Sequence, residues 1–291
     1  MNKADYNIVV IGGGSAGLVS AYIASAVKAR VALIENHKMG GDCLNTGCVP
    51  SKALIRSTKI ISYIQRHQEF GLKSASVEFN FSEIMERVQS IIKKIEPHDS
   101  TERYTKLGVD CITGKAKIVS PNKVQVNGKT LSSKNIIIAT GAYPTVPPIT
   151  GLDQVDFLTT ENLWNIRELP KRLVVAGGGP VGSELAQCFA RLGSKVTQVE
   201  LLPNILNRED NDISQSLLQY FTDENIDVRI NTKCKEIVVE NGKQFMVCSR
   251  DGQNQRIEFD KLLIAVGRTP NTRKFGLEEI GVKLDSNGKI C

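Results

Sequence analysis

Residues 6–35 read YNIVVIGGGSAGLVSAYIASAVKARVALIE, and residues 171–200 read KRLVVAGGGPVGSELAQCFARLGSKVTQVE. Each stretch opens on a β-branched run, breaks at G-x-G-x-x-G, continues through a helical segment and a second short apolar run, and ends on glutamate. The glycines are Gly12, Gly14 and Gly17 in the first copy and Gly177, Gly179 and Gly182 in the second. Glu35 follows Gly17 by eighteen residues, and Glu200 follows Gly182 by the same eighteen. One glycine-rich turn between a strand and a helix has many structural uses. Two copies, each with its strand, helix and spaced acid, carry a stronger message.

That message is a βαβ dinucleotide fold built twice. The first glycine permits a tight strand-to-helix turn, the second lets the backbone approach a pyrophosphate, and the third lets helix and strand pack closely. The helix N-terminus offers unpaired N–H groups and a positive dipole end to phosphates. Ser15 opens the first such helix and joins the cofactor-binding set. Each glutamate, at the end of the second strand, can accept hydrogen bonds from ribose hydroxyls. The fold class predicted is α/β, with two Rossmann-like domains of three layers around central parallel sheets. Two further apolar strands end in glycine turns, NIIIATGAYPTVPPITG at 135–151 and KLLIAVGRTPN at 261–271. Nucleotides gather at such strand ends in open α/β sheets. This adds Thr140, Gly141, Gly267 and Arg268 to the candidates.

Bulk properties agree with a globular chain of two ordinary domains, 291 residues long. The net charge of +6 is spread along the sequence. It suits anionic cofactors, whereas a nucleic-acid surface needs clustered Lys and Arg with stacking aromatics. The first strand starts within ten residues of Met1, leaving no room for a signal peptide. Glycines interrupt the apolar stretch from Ile8 to Val27, so it does not read as a membrane span. A reducing cytoplasm is the expected compartment. Seven scattered cysteines make no secreted disulfide framework.

One stretch stands out among the cysteines. Residues 40–52, GGDCLNTGCVPSK, hold Cys43 and Cys48 with four residues between them. A metal site, a crosslink, coincidence and a redox-active pair are the readings open at this point. A zinc site needs more ligands than three distant histidines and no second close cysteine pair provide. A structural staple does not suit a cytoplasmic protein.

Taken in order, these motifs resemble the class I pyridine nucleotide-disulfide oxidoreductases, the family of dihydrolipoamide dehydrogenase, glutathione reductase and mercuric reductase. GGDCLNTGCVPSK is similar to that family's active-site signature almost residue for residue. The resemblance implies FAD on the first fold and NAD on the second, with Gly41 beside the FAD. It implies domains at 1–148 for FAD, 149–271 for NAD and 272–291 for the start of the remaining FAD and central region. It further implies that Cys43 and Cys48 form a disulfide that opens in turnover, with Cys48 nearer the flavin and Cys43 nearer the substrate. Asn45 and Gly47 would permit the turn that closes so small a ring. Pro50 fits the early turns of the helix that follows, and that helix's dipole favours thiolate. Lys52 would reach toward the flavin and pair with Glu184.

An acid at Glu200, with Leu201 and Leu202 after it, implies NADH in preference to NADPH. The electrons would pass to a disulfide or metal-ion substrate, a small molecule or ion, with no nucleic acid and no membrane as partner. His98 and Asp99 follow Pro97 between two helical stretches and read as a solvated turn. The chain stops at NGKIC, before the segments that would complete the FAD site, supply the general base and form the dimer, so a homodimer is expected only of a full-length form. The alternative is a catalytically incomplete, redox-responsive module or remnant that binds FAD and NAD.

Overall fold

The computed structural model describes residues 4–291. The chain begins β1 (Tyr6–Ile11), α1 (Ser15–Ala26), β2 (Val31–Glu35), α2 (Gly41–Asn45), α3 (Cys48–Gln65), α4 (Phe81–Ile95) and α5 (Thr101–Lys106). Five strands follow, β3 (Val109–Thr113), β4 (Lys117–Ser120), β5 (Lys123–Val126), β6 (Lys129–Ile138) and β7 (Ala142–Pro144). Next come β8 (Phe157–Leu158), β9 (Arg172–Ala176), α6 (Pro180–Arg191), β10 (Lys195–Val199), α7 (Asn211–Asp223) and β11 (Asp227–Arg229). The chain closes with β12 (Lys233–Glu240), β13 (Lys243–Arg250), β14 (Gln253–Phe259), β15 (Lys261–Ile264) and β16 (Arg268–Pro270). His98 is exposed in a short 3₁₀ turn, Glu96–Asp99, between α4 and α5, as the sequence suggests.

Two compact units form. The first contains residues 4–50, 90–143 and 268–291, and the second contains 51–89 and 144–267. Residues 51–89, which the motif order assigns to the first domain, thus group with the second nucleotide fold.

In the first unit the sheet runs β3-β2-β1-β6-β5-β4. The four strands β3, β2, β1 and β6 are parallel, and β5 and β4 continue as an antiparallel meander. Alternation along β1 sorts its two faces. Val10 packs with Leu18, Ala21 and Ala24 of α1, while Val9 and Ile11 pack with Ile118, Val124 and Val126 of the meander and with Phe275 and Leu277. The layers are helix, parallel sheet and meander.

The second unit repeats the plan. Its parallel sheet runs β11-β10-β9-β15-β8, and a separate antiparallel sheet runs β12-β13-β14. Val174 and Ala176 of β9 face Met246, Cys248, Ile257 and Phe259 of that antiparallel sheet. Val175 faces the other way, and its side chain lies under Gly182 of α6. Phe189, Phe221 and Phe259 are among the largest fully buried side chains, each contributing about 1.5–3 kcal/mol by leaving water.

The four central strands have one order in both units, β3-β2-β1-β6 and β11-β10-β9-β15. The order reverses between β1 and β6, and again between β9 and β15. A ligand crevice opens at the carboxyl end of such a switch point. Both glycine loops stand there.

Candidate functional site

Each loop is built by the same bonds. Gly12 N–H donates to Ile34 O at 2.8 Å, and Gly177 N–H donates to Val199 O at 2.8 Å. Gly12 has φ +108° and Gly177 φ +115°, where a side chain is strained. A Cβ on Gly12 would sit 2.2 Å from Ala139 O, and one on Gly177 would sit 2.4 Å from Ala265 O. The third glycines serve packing too: a Cβ on Gly17 would meet Gly12 O at 1.8 Å, and one on Gly182 would meet Gly177 O at 2.2 Å.

The middle glycines differ in kind. Nothing lies within 4 Å of a Cβ built on Gly179, and on Gly14 the contact is Gly41 Cα at 3.7 Å. Their missing side chains relieve no internal clash and leave room beside the helix N-termini, where a diphosphate fits. This is the test the residues pass for a dinucleotide in each loop.

Glu35 and Glu200 play a part that their spacing does not reveal. Glu35 Oε2 accepts from Gly13 N–H at 2.5 Å and Oε1 from His37 N–H at 2.7 Å. Glu200 Oε2 accepts from Gly178 N–H at 2.5 Å and Oε1 from Leu202 N–H at 2.8 Å. Each acid therefore straps its own glycine loop to the end of the second strand. Carboxylate oxygens accept more than one hydrogen bond, so capacity for ribose hydroxyls remains. A partner missed from sequence is Gln198, fully buried. Its Nε2 donates to Gly177 O at 3.0 Å and to Ser183 Oγ at 3.2 Å, fixing the second loop from below.

The cysteine loop is fastened to the first glycine loop. Gly40 N–H donates to Gly13 O at 2.9 Å, and a Cβ on Gly41 would lie 2.6 Å from Gly14 Cα. The left-handed turns fall at Gly40 and Gly41, with φ +85° and +54°. The chain turns again at Thr46 and Gly47, between α2 and α3. Asn45 closes α2 by donating from Nδ2 to Gly41 O at 2.8 Å and Met39 O at 3.1 Å. Gly47 allows a close pass, since its Cβ would be 3.0 Å from Asp42 O. Cys43 is half-buried on α2, and Cys48 is exposed as the first residue of α3. Both stand as thiols in this structure.

Lys52, four residues along α3, meets Glu184 on α6. Its Nζ lies 2.7 Å from Oε1 and 2.8 Å from Oε2. Arg268, expected at a cofactor, turns its guanidinium onto Asp42 beside Cys43 and onto Ala142 O. Thr140 and Gly141 are tied to the segment after Arg268. Thr140 Oγ1 donates to Asn271 O at 2.6 Å, Asn271 Nδ2 donates to Thr140 O at 3.0 Å, and Asn271 N–H donates to Gly141 O at 2.9 Å. Gly267 is exposed with φ +142° and an open Cβ direction. Asp42 and Asn271 had no signal of their own, because their partners are far away in sequence. No helix among the described residues is long and apolar enough to cross a membrane.

The chain has counterparts among known proteins. Residues 6–291 match the family described as pyridine nucleotide-disulphide oxidoreductase. A mercuric reductase of Staphylococcus aureus is 33% identical over 98% of this chain and 52% of its own length. A dihydrolipoyl dehydrogenase of Acholeplasma laidlawii is 36% identical over 97% of this chain and 83% of its own. The solved structure of the HOCl-induced flavoprotein disulfide reductase RclA from Escherichia coli is 28% identical and superposes with a TM-score of 0.83, covering 98% of this chain and 62% of that one. The chain spans about half the length of the mercuric reductases it matches.

Proposed function

We propose, from the premise that the chain belongs to the pyridine nucleotide-disulphide oxidoreductase family, that it takes part in NADH-dependent flavoprotein disulfide reduction. In this reading the first glycine loop holds FAD and the second holds the pyridine nucleotide. When bound, the flavin would supply two-electron transfer between the nucleotide and the cysteine pair. The chain's own residues bind, orient and exchange.

The observation that carries the reading is the fastening of Gly40 and Gly41 onto Gly13 and Gly14. It couples a cysteine pair to a loop shaped for a dinucleotide. Helix α1 turns its N-terminus to the first diphosphate and α6 turns its own to the second. Glu35 and Glu200 hold those loops and offer acceptors to ribose. The Lys52 ammonium, held by Glu184, supplies fixed positive charge on the helix that carries Cys48. Cys48 begins an 18-residue helix, whose dipole favours negative charge at its first residue. On oxidation the two thiols lose two electrons and two protons and join as a disulfide. On reduction the bond opens and Cys43 becomes the attacking thiolate.

The substrate is a small molecule or ion with a soft electrophilic centre. The names of the relatives span a mercury ion and a dithiol carrier, and thiolate attack is the chemistry common to both. For the nucleotide, Glu200 would repel an added phosphate on the ribose, and Leu201 and Leu202, both exposed, offer no cation to hold one.

The test is spectroscopic. The protein loaded with FAD should develop a long-wavelength absorbance band on adding NADH, from a thiolate beside the flavin. Cys48→Ser should lose that band and keep its FAD. A band that persists in Cys48→Ser overturns the assignment of Cys48. A protein that binds both nucleotides and never develops the band is the incomplete module instead.

A further inference from the structure

A second cysteine pair exists in the fold that no close spacing in the sequence announces. Strands β12 and β13 pair antiparallel with Cys234 directly opposite Cys248. Residues so placed have Cβ atoms about 4.5–5.5 Å apart, and their Cα separation of about 4.5–5.5 Å lies inside the range that disulfides span. The two thiol side chains already share a hydrogen bond. Just after Cys234 the register shifts, leaving Lys235 bulged between Cys234 and Glu236. A bulge loosens the ladder locally, which gives the backbone freedom to draw the sulfurs together.

The two thiols are unequal. Cys248 is fully buried against Met246, Ile257 and Val174, whereas Cys234 is only partly buried at the edge of that core. The shared hydrogen bond lowers the Cys234 thiol below its ordinary range, and the same bond together with burial pushes Cys248 up. Arg229 is the nearby cation and acts on Cys248 in the opposite sense. One thiol therefore lies at the edge of the core and is the readier to ionise, and the other is sheltered within it. That is an attacking sulfur with a resolving sulfur.

We propose that Cys234 and Cys248 form a second redox pair, in which Cys234 attacks a hydroperoxide and Cys248 closes a cross-strand disulfide. In the first step the Cys234 sulfur takes an oxygen as the O–O bond of hydrogen peroxide breaks, giving a sulfenic acid and water. In the second step the Cys248 thiol attacks that sulfur, the S–O bond breaks, and a second water leaves. Two thiols lose two electrons and two protons, and the peroxide receives them. The pair lies in the second unit and needs neither Cys43 nor Cys48.

The Cys43→Ser/Cys48→Ser chain is the form to test, since its remaining thiols report without the first pair. After exposure to hydrogen peroxide, blocking with iodoacetamide and tryptic digestion without reductant, the fragment Cys234–Lys235 joined to Gln244–Arg250 should appear, two hydrogens lighter than the separate thiol peptides. Exposed Cys291 is the internal reference. Oxidation of Cys291 at a dose that leaves Cys234 and Cys248 both alkylatable overturns the proposal. Dimedone, which traps sulfenic acids, separates the roles. In Cys248→Ser it should label Cys234, and the parent should lose that label. Equal labelling of Cys234 in both chains removes Cys248 as the resolving group. Should Cys248→Ser fail to fold, Cys234→Ser decides. It must lose the linked fragment and leave Cys248 a thiol, and oxidised Cys248 in that variant overturns the order of attack.

Discussion

Lys52 and Glu184 form a two-pronged ion pair between α3 and α6, with Nζ at 2.7 Å and 2.8 Å from the two carboxylate oxygens. The side chains are 60% and 41% exposed. An exposed pair of this sort contributes about 0–1 kcal/mol to folding. Its geometry is therefore better explained by placement of a charge than by stability.

Glu184→Gln should accordingly leave the urea midpoint almost unchanged while slowing reduction of the FAD-loaded protein by NADH. Stopped-flow absorbance and equilibrium unfolding check the two halves separately. A large loss of stability with no change in rate would make the pair a structural strut.

The glycines of each loop should divide by role. Gly177→Ala forces a Cβ to within 2.4 Å of a carbonyl oxygen at φ +115°. Backbone strain alone should cost at least about 1–3 kcal/mol, read as a lower unfolding midpoint. Gly179→Ala meets nothing within 4 Å and sits at φ −73°. Its stability should change by no more than about 0.5 kcal/mol, with weaker NADH binding by titration. Undiminished NADH affinity in Gly179→Ala would move the diphosphate elsewhere.

Nucleotide choice should follow Glu200. The FAD-loaded protein should favour NADH over NADPH by at least about tenfold in kcat/KM, roughly 1.4 kcal/mol. Equal use of both nucleotides would show that the acid only straps its loop through Gly178 and Leu202.

Acid stability should report on Arg172, which grips Asp260 with its backbone N–H at 2.7 Å and its guanidinium at 2.5 Å, and Glu258 at 2.5 Å. These bonds to Arg172 hold both carboxyls below their ordinary range. Depressed carboxylates stabilise the fold fully above their unfolded values, near pH 4, and that part fades as pH falls through the lowered ones. Arg172→Met should be less stable than wild type at neutral pH and lose less on further acidification below about pH 4. Parallel losses in both proteins, followed by circular dichroism, would remove Arg172 as the cause.

The doubled nucleotide fold is legible in the sequence because its signals are local. A glycine forced to φ +108° or +115° can be replaced by almost nothing else, and the helix and acid that follow lie within the same thirty residues. Only family resemblance pairs Lys52 with Glu184, since no spacing links positions 132 residues apart. Three relationships came from tertiary structure alone: Asp42 against Arg268, Gly41 against Gly14, and Cys234 against Cys248. The reason is that strand register is fixed by which face is buried and by the turns between strands. A string of letters shows two cysteines fourteen positions apart; only the folded ladder makes them neighbours.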